Sequence, residues 1–270
     1  TCRQSIEPFH FGASREPLFG CYHAPHAAFD RDWGVVLCYP MGREYIRFHR
    51  PFRELANLLA QEGFPALRFD YYGCGDSAGD FEEARVNQWV RDIGTAIDKV
   101  GIEGGISRIC LIGLRLGAAL AAMAAARLGD VEALVLWDPV IQGRLHLEQL
   151  MSLHTDMLRY AHVDPHQWPK VQGIREVLGF PFGESLIRDL DKLDLLTIQR
   201  RPAKDILLIR TREHANRAAL GDQLVSLGAS VTIRQIPFPE LWVWTEDFGQ
   251  VLVPRRVLQC IVSWVCERCT

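Results

Sequence analysis

The sequence has no long apolar run and no excess of basic charge, and each absence excludes a class of protein. The longest apolar stretch, residues 116–126, lies between Arg115 and Arg127 and is far shorter than the roughly 20 residues of a membrane span. The formal net charge of −3 argues against a nucleic-acid or membrane-surface partner. No basic segment followed by an apolar one opens the sequence, so we expect a cytoplasmic protein without a membrane span.

The sequence also lacks a cysteine framework. Its eight cysteines are scattered, and the C-x-x-C formed by Cys266 and Cys269 has neither a second cysteine pair nor a following histidine pair to complete a zinc site. A hydrophobic content of 48% with 23% charged residues excludes a disordered chain and leaves an ordinary globular protein. We therefore expect no metal and no cofactor.

What is present is an alternation of short apolar runs with segments of helical periodicity. Continuous apolar runs are typical of strands buried on both faces, and their alternation with helices predicts an α/β fold with a mostly parallel central sheet flanked by helices. The predicted strands are residues 6–13, 17–24, 34–40, 65–70, 108–113, 131–138, 205–210 and 230–236, and the predicted helices are residues 48–62, 83–100, 118–128 and 254–265.

One segment interrupts this alternation. Residues 142–196 are predicted to form a helical cap inserted into a core made of residues 1–141 and 197–270. The cap carries His146, His154, His162 and His166. For His162 and His166, the proline between them and the lack of a defined third ligand favour the ends of surface helices over a metal site.

Residues 108–118, RICLIGLRLGA, are the most informative stretch. An apolar strand ends in Gly113 and leads directly, through Arg115 and Gly117, into a helix of small residues. This is the setting of the G-x-S-x-G nucleophile elbow, in which flanking glycines let strand and helix approach and the new helix directs its N–H groups at a developing oxyanion. Here the central residue is arginine, which cannot accept an acyl group.

A literal G-x-S-x-G occurs elsewhere, around Ser77. Residues 71–76 separate Ser77 from the end of the predicted strand at Asp70, whereas an elbow nucleophile follows its strand at once. We therefore interpret Ser77 as a loop or capping residue, with a nucleophilic role as the weaker alternative.

The order of these motifs resembles the α/β-hydrolase superfamily, in its serine-aminopeptidase-like and exosortase-system-associated branches. The stretches that carry the resemblance are CYPMGREYIRFHRPFRELANLLAQEGFPALRFDYYGCGDSAGD, GLRLGA and LVLWDP. The resemblance places Met41 and Gly42 in the oxyanion loop, so that the N–H groups of Met41 and Leu116 would form an anion hole. It also matches residues 72–77 to an R-G-x-G-x-S loop whose serine is not the nucleophile.

The sequence departs from the pattern that the resemblance implies for active members. Arg115 replaces the serine, and residues 237–254, which match the loop of the triad histidine, contain no histidine. His214 is the last histidine in the chain and lies where the resemblance implies the triad acid. A conventional Ser-His-Asp mechanism is therefore excluded.

Two roles remain open for Arg115. As a structural residue it would form an internal salt bridge, with Asp138 the first choice of partner and Asp70 or Glu213 as alternates. As a functional residue it would bind a carboxylate, phosphate or sulfate together with the N–H groups of the helix.

Three functions follow. The first is binding or processing of a small anionic or acyl molecule without a serine intermediate. The second is a non-catalytic scaffold with a protein partner, in envelope or exopolysaccharide synthesis as the exosortase resemblance implies. The third is an ester or thioester hydrolase with a relocated nucleophile, Ser77 or Cys74, within hydrogen-bond reach of His214, with Asp138 as a further weak catalytic candidate. The sequence leaves the oligomeric state open.

Overall fold

The computed structural model describes residues 6–25, 32–163, 171–211, 216–237 and 253–269. Most of the chain's apolar runs form the strands of one large sheet. Its strands are β1 (Ile6–Phe11), β2 (Leu18–His23), β3 (Trp33–Cys38), β4 (Ala66–Phe69), β5 (Arg108–Leu114), β6 (Ala133–Trp137), β9 (Asp205–Arg210) and β10 (Ser230–Gln235), and a separate hairpin contains β7 (Ile174–Val177) and β8 (Phe180–Gly183).

The large sheet has eight strands in the order β1-β2-β4-β3-β5-β6-β9-β10. β2 pairs antiparallel with both β1 and β4, and the pairs from β4 to β10 are parallel. Every residue of β3 and β6 is buried, as expected for strands covered on both faces. The predicted α/β fold with a mostly parallel sheet is therefore confirmed.

Helices connect these strands and cover the sheet. They are α1 (Gly42–Gln61), α2 (Val86–Gly104), α3 (Leu116–Leu128), α4 (Gly143–Tyr160), α5 (Glu184–Lys192), α6 (Asn216–Ser226) and α7 (Arg255–Arg268). α2 packs on α3, and α1 packs on α7. The alanine-rich α3 lies against β5 with its first turns fully buried, because short side chains allow a close helix–sheet approach.

The segment between β6 and β9 contains a feature that the sequence analysis missed. It was predicted to be helical, but besides α4 and α5 it contains the antiparallel hairpin of β7 and β8. The turn of this hairpin has positive φ at both Leu178 (55°) and Gly179 (87°), the geometry of tight turns that join twisted strands. The segment is thus helical as predicted in α4 and α5, and the hairpin is an addition that the sequence analysis did not predict; the cap boundaries of residues 142–196 stay a prediction.

No helix within the described ranges is long and apolar enough to cross a membrane.

Candidate active site

Two helices begin at the carboxyl edge of the sheet, beside the ends of the central strands β3 and β5. α1 begins at Gly42, shortly after β3, and α3 begins at Leu116, with Arg115 as its N-cap. A helix leaves its first N–H groups without intrahelical acceptors, so both starts contribute donors and positive partial charge to this edge. Met41 and Leu116, the predicted anion hole, lie at these two helix starts.

The backbone at Arg115 is strained. Its φ of 54° and ψ of −119° lie outside the regions that residues with side chains favour, at a cost of about 1–3 kcal/mol. The conformation is held from both sides, because the Arg115 N–H donates to the Trp137 carbonyl at 3.0 Å and the Val140 N–H donates to the Arg115 carbonyl at 3.1 Å. The end of β6 therefore fixes the turn between β5 and α3.

The glycines that flank this turn are required by close backbone contacts. A Cβ atom on Gly117 would lie 2.2 Å from the Tyr39 carbonyl oxygen, and one on Gly113 would lie 2.5 Å from the Ala118 Cα. Side chains at either position would separate α3 from β3 and β5. The predicted reason for glycine at both positions is confirmed.

The Arg115 side chain is buried in a polar cluster. Its Nε lies 3.1 Å from Glu44 Oε1, and the two side chains are only 7% and 4% exposed. Its terminal nitrogen donates to Gln149 Oε1 at 3.2 Å and lies 3.3 Å from His146 Nδ1. We call Arg115, Glu44, His146 and Gln149 the Arg115 cluster; it joins the turn after β5 to the first turn of α1 and to α4.

Glu44 is a partner for Arg115 that the sequence analysis did not name. Asp70, one proposed alternate, instead accepts hydrogen bonds from the Tyr45 hydroxyl at 2.8 Å and the Asp76 N–H at 3.1 Å. Glu213, the other alternate, lies outside the described residues. The sequence did contain a signal for this pairing, because Glu44 is an acidic residue in the first turn of the helix that follows the oxyanion loop.

The electrostatics of the cluster follow from its burial. Burial raises the pKa of Glu44, and the adjacent Arg115 charge acts in the opposite direction. Burial, followed by repulsion from Arg115, lowers the pKa of His146 well below its usual range, so this imidazole is neutral. Since His146 Nδ1 accepts from Arg115, its proton lies on Nε2. Neither His146 Nε2 nor Glu44 Oε2 has a hydrogen-bond partner within the described part of the chain.

Asp138, the first-choice partner for Arg115 and a weak catalytic candidate, lies fully buried at the end of β6. Its carboxylate accepts the Thr211 N–H at 3.0 Å and the Thr211 hydroxyl. These bonds join the ends of β6 and β9, so the Asp138 carboxylate has a structural role.

The two alternative nucleophiles also have structural surroundings. The Ser77 hydroxyl donates a hydrogen bond to the Asp70 carbonyl at 2.6 Å and accepts one from the Phe19 N–H at 2.8 Å. Its donor and its acceptor are therefore both used to hold the loop against β2. Burial, and then the negative charges of Asp70 and Asp92, raise the pKa of Cys74, which disfavours the reactive thiolate.

His214, which would assist either nucleophile, lies outside the described residues, as do residues 238–252 of the loop matched to the triad histidine. Within the described ranges no group of three or more His, Cys, Asp or Glu side chains is arranged to hold a metal ion.

A cavity of about 150 Å³ lies beside the predicted oxyanion loop. Met41 and Gly42 form part of its wall, and Phe180 of the β7–β8 hairpin forms another part. Arg115 is not among its lining residues; Asp70 and Cys74 are. Most of the remaining wall is aromatic, contributed by Tyr39, Tyr45, Phe69, Tyr71 and Phe81.

Comparisons with known proteins identify this architecture. Residues 34–197 match the family model of the serine aminopeptidases, S33. No curated protein matches the chain by sequence.

Solved structures match it over nearly its whole length. The protein Est1E of Butyrivibrio proteoclasticus, with ferulic acid bound, is 14% identical, with a TM-score of 0.67 over 96% of this chain and 98% of that one. An esterase of Pyrococcus furiosus is 14% identical, with a TM-score of 0.65 over 99% and 92%. A hypothetical protein of Pseudomonas aeruginosa is 16% identical, with a TM-score of 0.67 over 99% and 95%.

Proposed function

Because the chain belongs to the serine aminopeptidase family, S33, of the α/β-hydrolase superfamily, we propose that it binds a small acyl or aromatic molecule without forming a serine-bound acyl intermediate. The observation that carries this proposal is the buried ion pair of Arg115 and Glu44 in the turn between β5 and α3. In the G-x-S-x-G pattern that turn presents the nucleophile.

The ion pair argues against both a nucleophile and a free anion site at this turn. Glu44 already supplies the negative charge that a buried arginine requires, so a carboxylate or phosphate ligand would have to displace it. We therefore assign the ligand to the cavity beside Met41 rather than to the Arg115 guanidinium.

The cavity supports an apolar ligand group. An apolar cavity of roughly 150 Å³ is large enough for a benzene-sized molecule. Its walls combine aromatic rings with the edge of the oxyanion loop, so that a compact acyl or aromatic group would lie next to the Met41 backbone. The bound ferulic acid of the Butyrivibrio protein is an aromatic acid at a site in the same fold.

The proposal is tested by labelling the wild-type protein with a fluorophosphonate probe, which reacts with activated serines. We expect no labelling, beside a serine hydrolase that serves as the positive control. Labelling that disappears in Ser77→Ala but persists in Cys74→Ala would contradict the proposal and identify a relocated nucleophile. The scaffold role in exopolysaccharide synthesis stays a separate prediction.

A further inference from the structure

The cavity beside Met41 contains one buried carboxylate, and its environment is unusual. Asp70 is only 7% exposed, yet its partners are the Tyr45 hydroxyl and the Asp76 N–H, which are both neutral donors. Across the ranges that the structure describes, no lysine or arginine forms an ion pair with it. Burial raises the pKa of this carboxyl group, while the hydrogen bonds from the Asp76 N–H and the Tyr45 hydroxyl act in the opposite direction. Because buried charges in proteins are ordinarily paired, a cation in the cavity would further stabilise the charged form of Asp70.

The positive groups near Asp70 are directed elsewhere. Arg68 does not line the cavity; its guanidinium donates to the Tyr39 hydroxyl at 2.9 Å and to His23 Nε2 at 2.9 Å. His49, whose ring stacks on Tyr39, has its pKa lowered first by burial and then by Arg68, while Asp70 acts in the opposite direction.

The groups on the cavity wall experience negative charge. After burial itself, Asp70 is the largest influence that raises the pKa of the Tyr45 hydroxyl. Asp70 and Asp92 together act in the same direction on Cys74. Asp70 therefore acts on both of these wall residues.

Aromatic rings complete the pattern. Tyr45 and Phe180 lie on the wall with Phe81, whose ring centroid is 5.6 Å from that of Phe180. Aromatic rings attract cations through their negative faces, and cages of such rings are the usual way in which proteins bind alkylated ammonium groups.

We propose that this cavity is a site for a compact alkylammonium group, held by the surrounding aromatic rings and by the carboxylate of Asp70. The proposal rests on the proposed function in placing a small ligand at this cavity, and it narrows that ligand to an acyl compound that carries an alkylammonium group. The cation would be the positively charged partner of the Asp70 carboxylate, and its alkyl substituents would contact the apolar part of the cavity wall. The volume limits the group to about the size of benzene.

The test compares choline with its uncharged tert-butyl analogue, which has the same shape, by calorimetric titration of the full chain. We expect the wild type to bind choline about tenfold more tightly, the size of a desolvated cation–π and carboxylate contribution. Asp70→Asn should abolish this preference, so that the variant binds the two compounds with about equal affinity.

A second variant guards against misfolding of the loop around Asp70. Phe180→Leu keeps the wall apolar and leaves the Asp70 hydrogen bonds intact, but it removes one ring of the wall, so it should weaken choline binding by several-fold more than it weakens binding of the neutral analogue. Equal binding of the two compounds by the wild type, or tighter binding of the neutral one, would overturn the alkylammonium site and leave the proposed function standing. Binding of neither compound would overturn both the site and its role in ligand binding, whereas fluorophosphonate labelling alone would overturn only the absence of a serine intermediate.

Discussion

At the scale of single residues, the Arg115–Glu44 pair determines what this site can do. Removing one partner of a buried ion pair leaves an uncompensated charge, so Arg115→Met should lower the free energy of unfolding by about 3–5 kcal/mol at neutral pH. Urea unfolding monitored by circular dichroism measures this loss. The double variant Arg115→Met/Glu44→Gln is the matched control and should recover most of it.

The loss should also depend on pH. Burial raises the pKa of Glu44, and Arg115 lowers it. Removal of Arg115 should therefore raise this pKa further. Protonated Glu44 is neutral, so the deficit of Arg115→Met should be small in acid and should grow as the pH rises through the pKa of Glu44 in the folded protein. A deficit that is constant with pH would show that Arg115 contributes packing rather than charge.

His23 gives a second pH-dependent prediction. Burial, and then Arg68, lower its pKa from 6.5 to about 4. The unfolded chain therefore binds the proton first, and this group's contribution to stability should be lost as the pH falls from 6.5 towards 4. His23→Gln should flatten the slope of unfolding free energy against pH in this window. An unchanged slope would exclude His23 as its source.

The sequence identified Arg115 as the residue that distinguishes this site, because glycine spacing and the apolar strand fix its position. It did not identify Glu44 or Gln149, although His146 was noted as a cap histidine. Those partners come from α1 and α4, and only the packing of these elements on the sheet brings them to Arg115. Local pattern carries no information about such a distant pairing.

At the scale of elements, the Arg115 cluster attaches α4 to the core. The hydrogen bonds from Arg115 to His146 and Gln149 are buried connections between this helix and the turn after β5. His146→Leu/Gln149→Leu removes both while keeping the ion pair with Glu44. We expect amide hydrogen exchange in α4 to accelerate by about tenfold, measured by mass spectrometry, with α7 unchanged.

His154→Leu is the control for this prediction, since it lies on the same helix and accepts from the Leu178 N–H at 3.1 Å instead. It should loosen the β7–β8 hairpin and leave the first half of α4 protected. Uniform acceleration in both variants would mean that α4 is held by its apolar face alone.

The elements of the sheet could be predicted because their strands are continuous apolar runs. The β7–β8 hairpin could not, since its strands are short and its turn places leucine at positive φ, a conformation that asparagine or glycine ordinarily adopts. The predicted start of α1 was also too late in the sequence. The apolar periodicity begins at Phe48, whereas the helix begins at Gly42, in a polar stretch. Its omitted first turn is the one that contains Glu44.

At the scale of the whole molecule, the fold does not by itself determine the activity. The sheet order and the family match establish the hydrolase fold, whereas the absence of a serine mechanism is our proposal, based on Arg115 in the turn between β5 and α3. Arg115→Ser/Glu44→Gln restores a serine to the turn and avoids a lone buried charge. It should still not hydrolyse p-nitrophenyl butyrate above background, because residues 237–254, which match the loop of the triad histidine, contain no histidine to act as its base.

Formation of an acyl-enzyme in this variant, detected as a mass increase of the intact protein, would contradict the prediction. The parent protein and the single variant Glu44→Gln are the matched controls. A positive result would direct attention to His146, the buried imidazole nearest the turn, as an unexpected base.

The burial of Arg115 against Glu44 also makes these two positions dependent on each other. Replacement of arginine alone leaves Glu44 as a lone buried charge, at a cost of about 3–5 kcal/mol, a large fraction of the stability of many domains. Replacement of the glutamate alone leaves the arginine unpaired in the same way. The effect of a substitution at either position therefore depends on the residue at the other, which is the signature of epistasis.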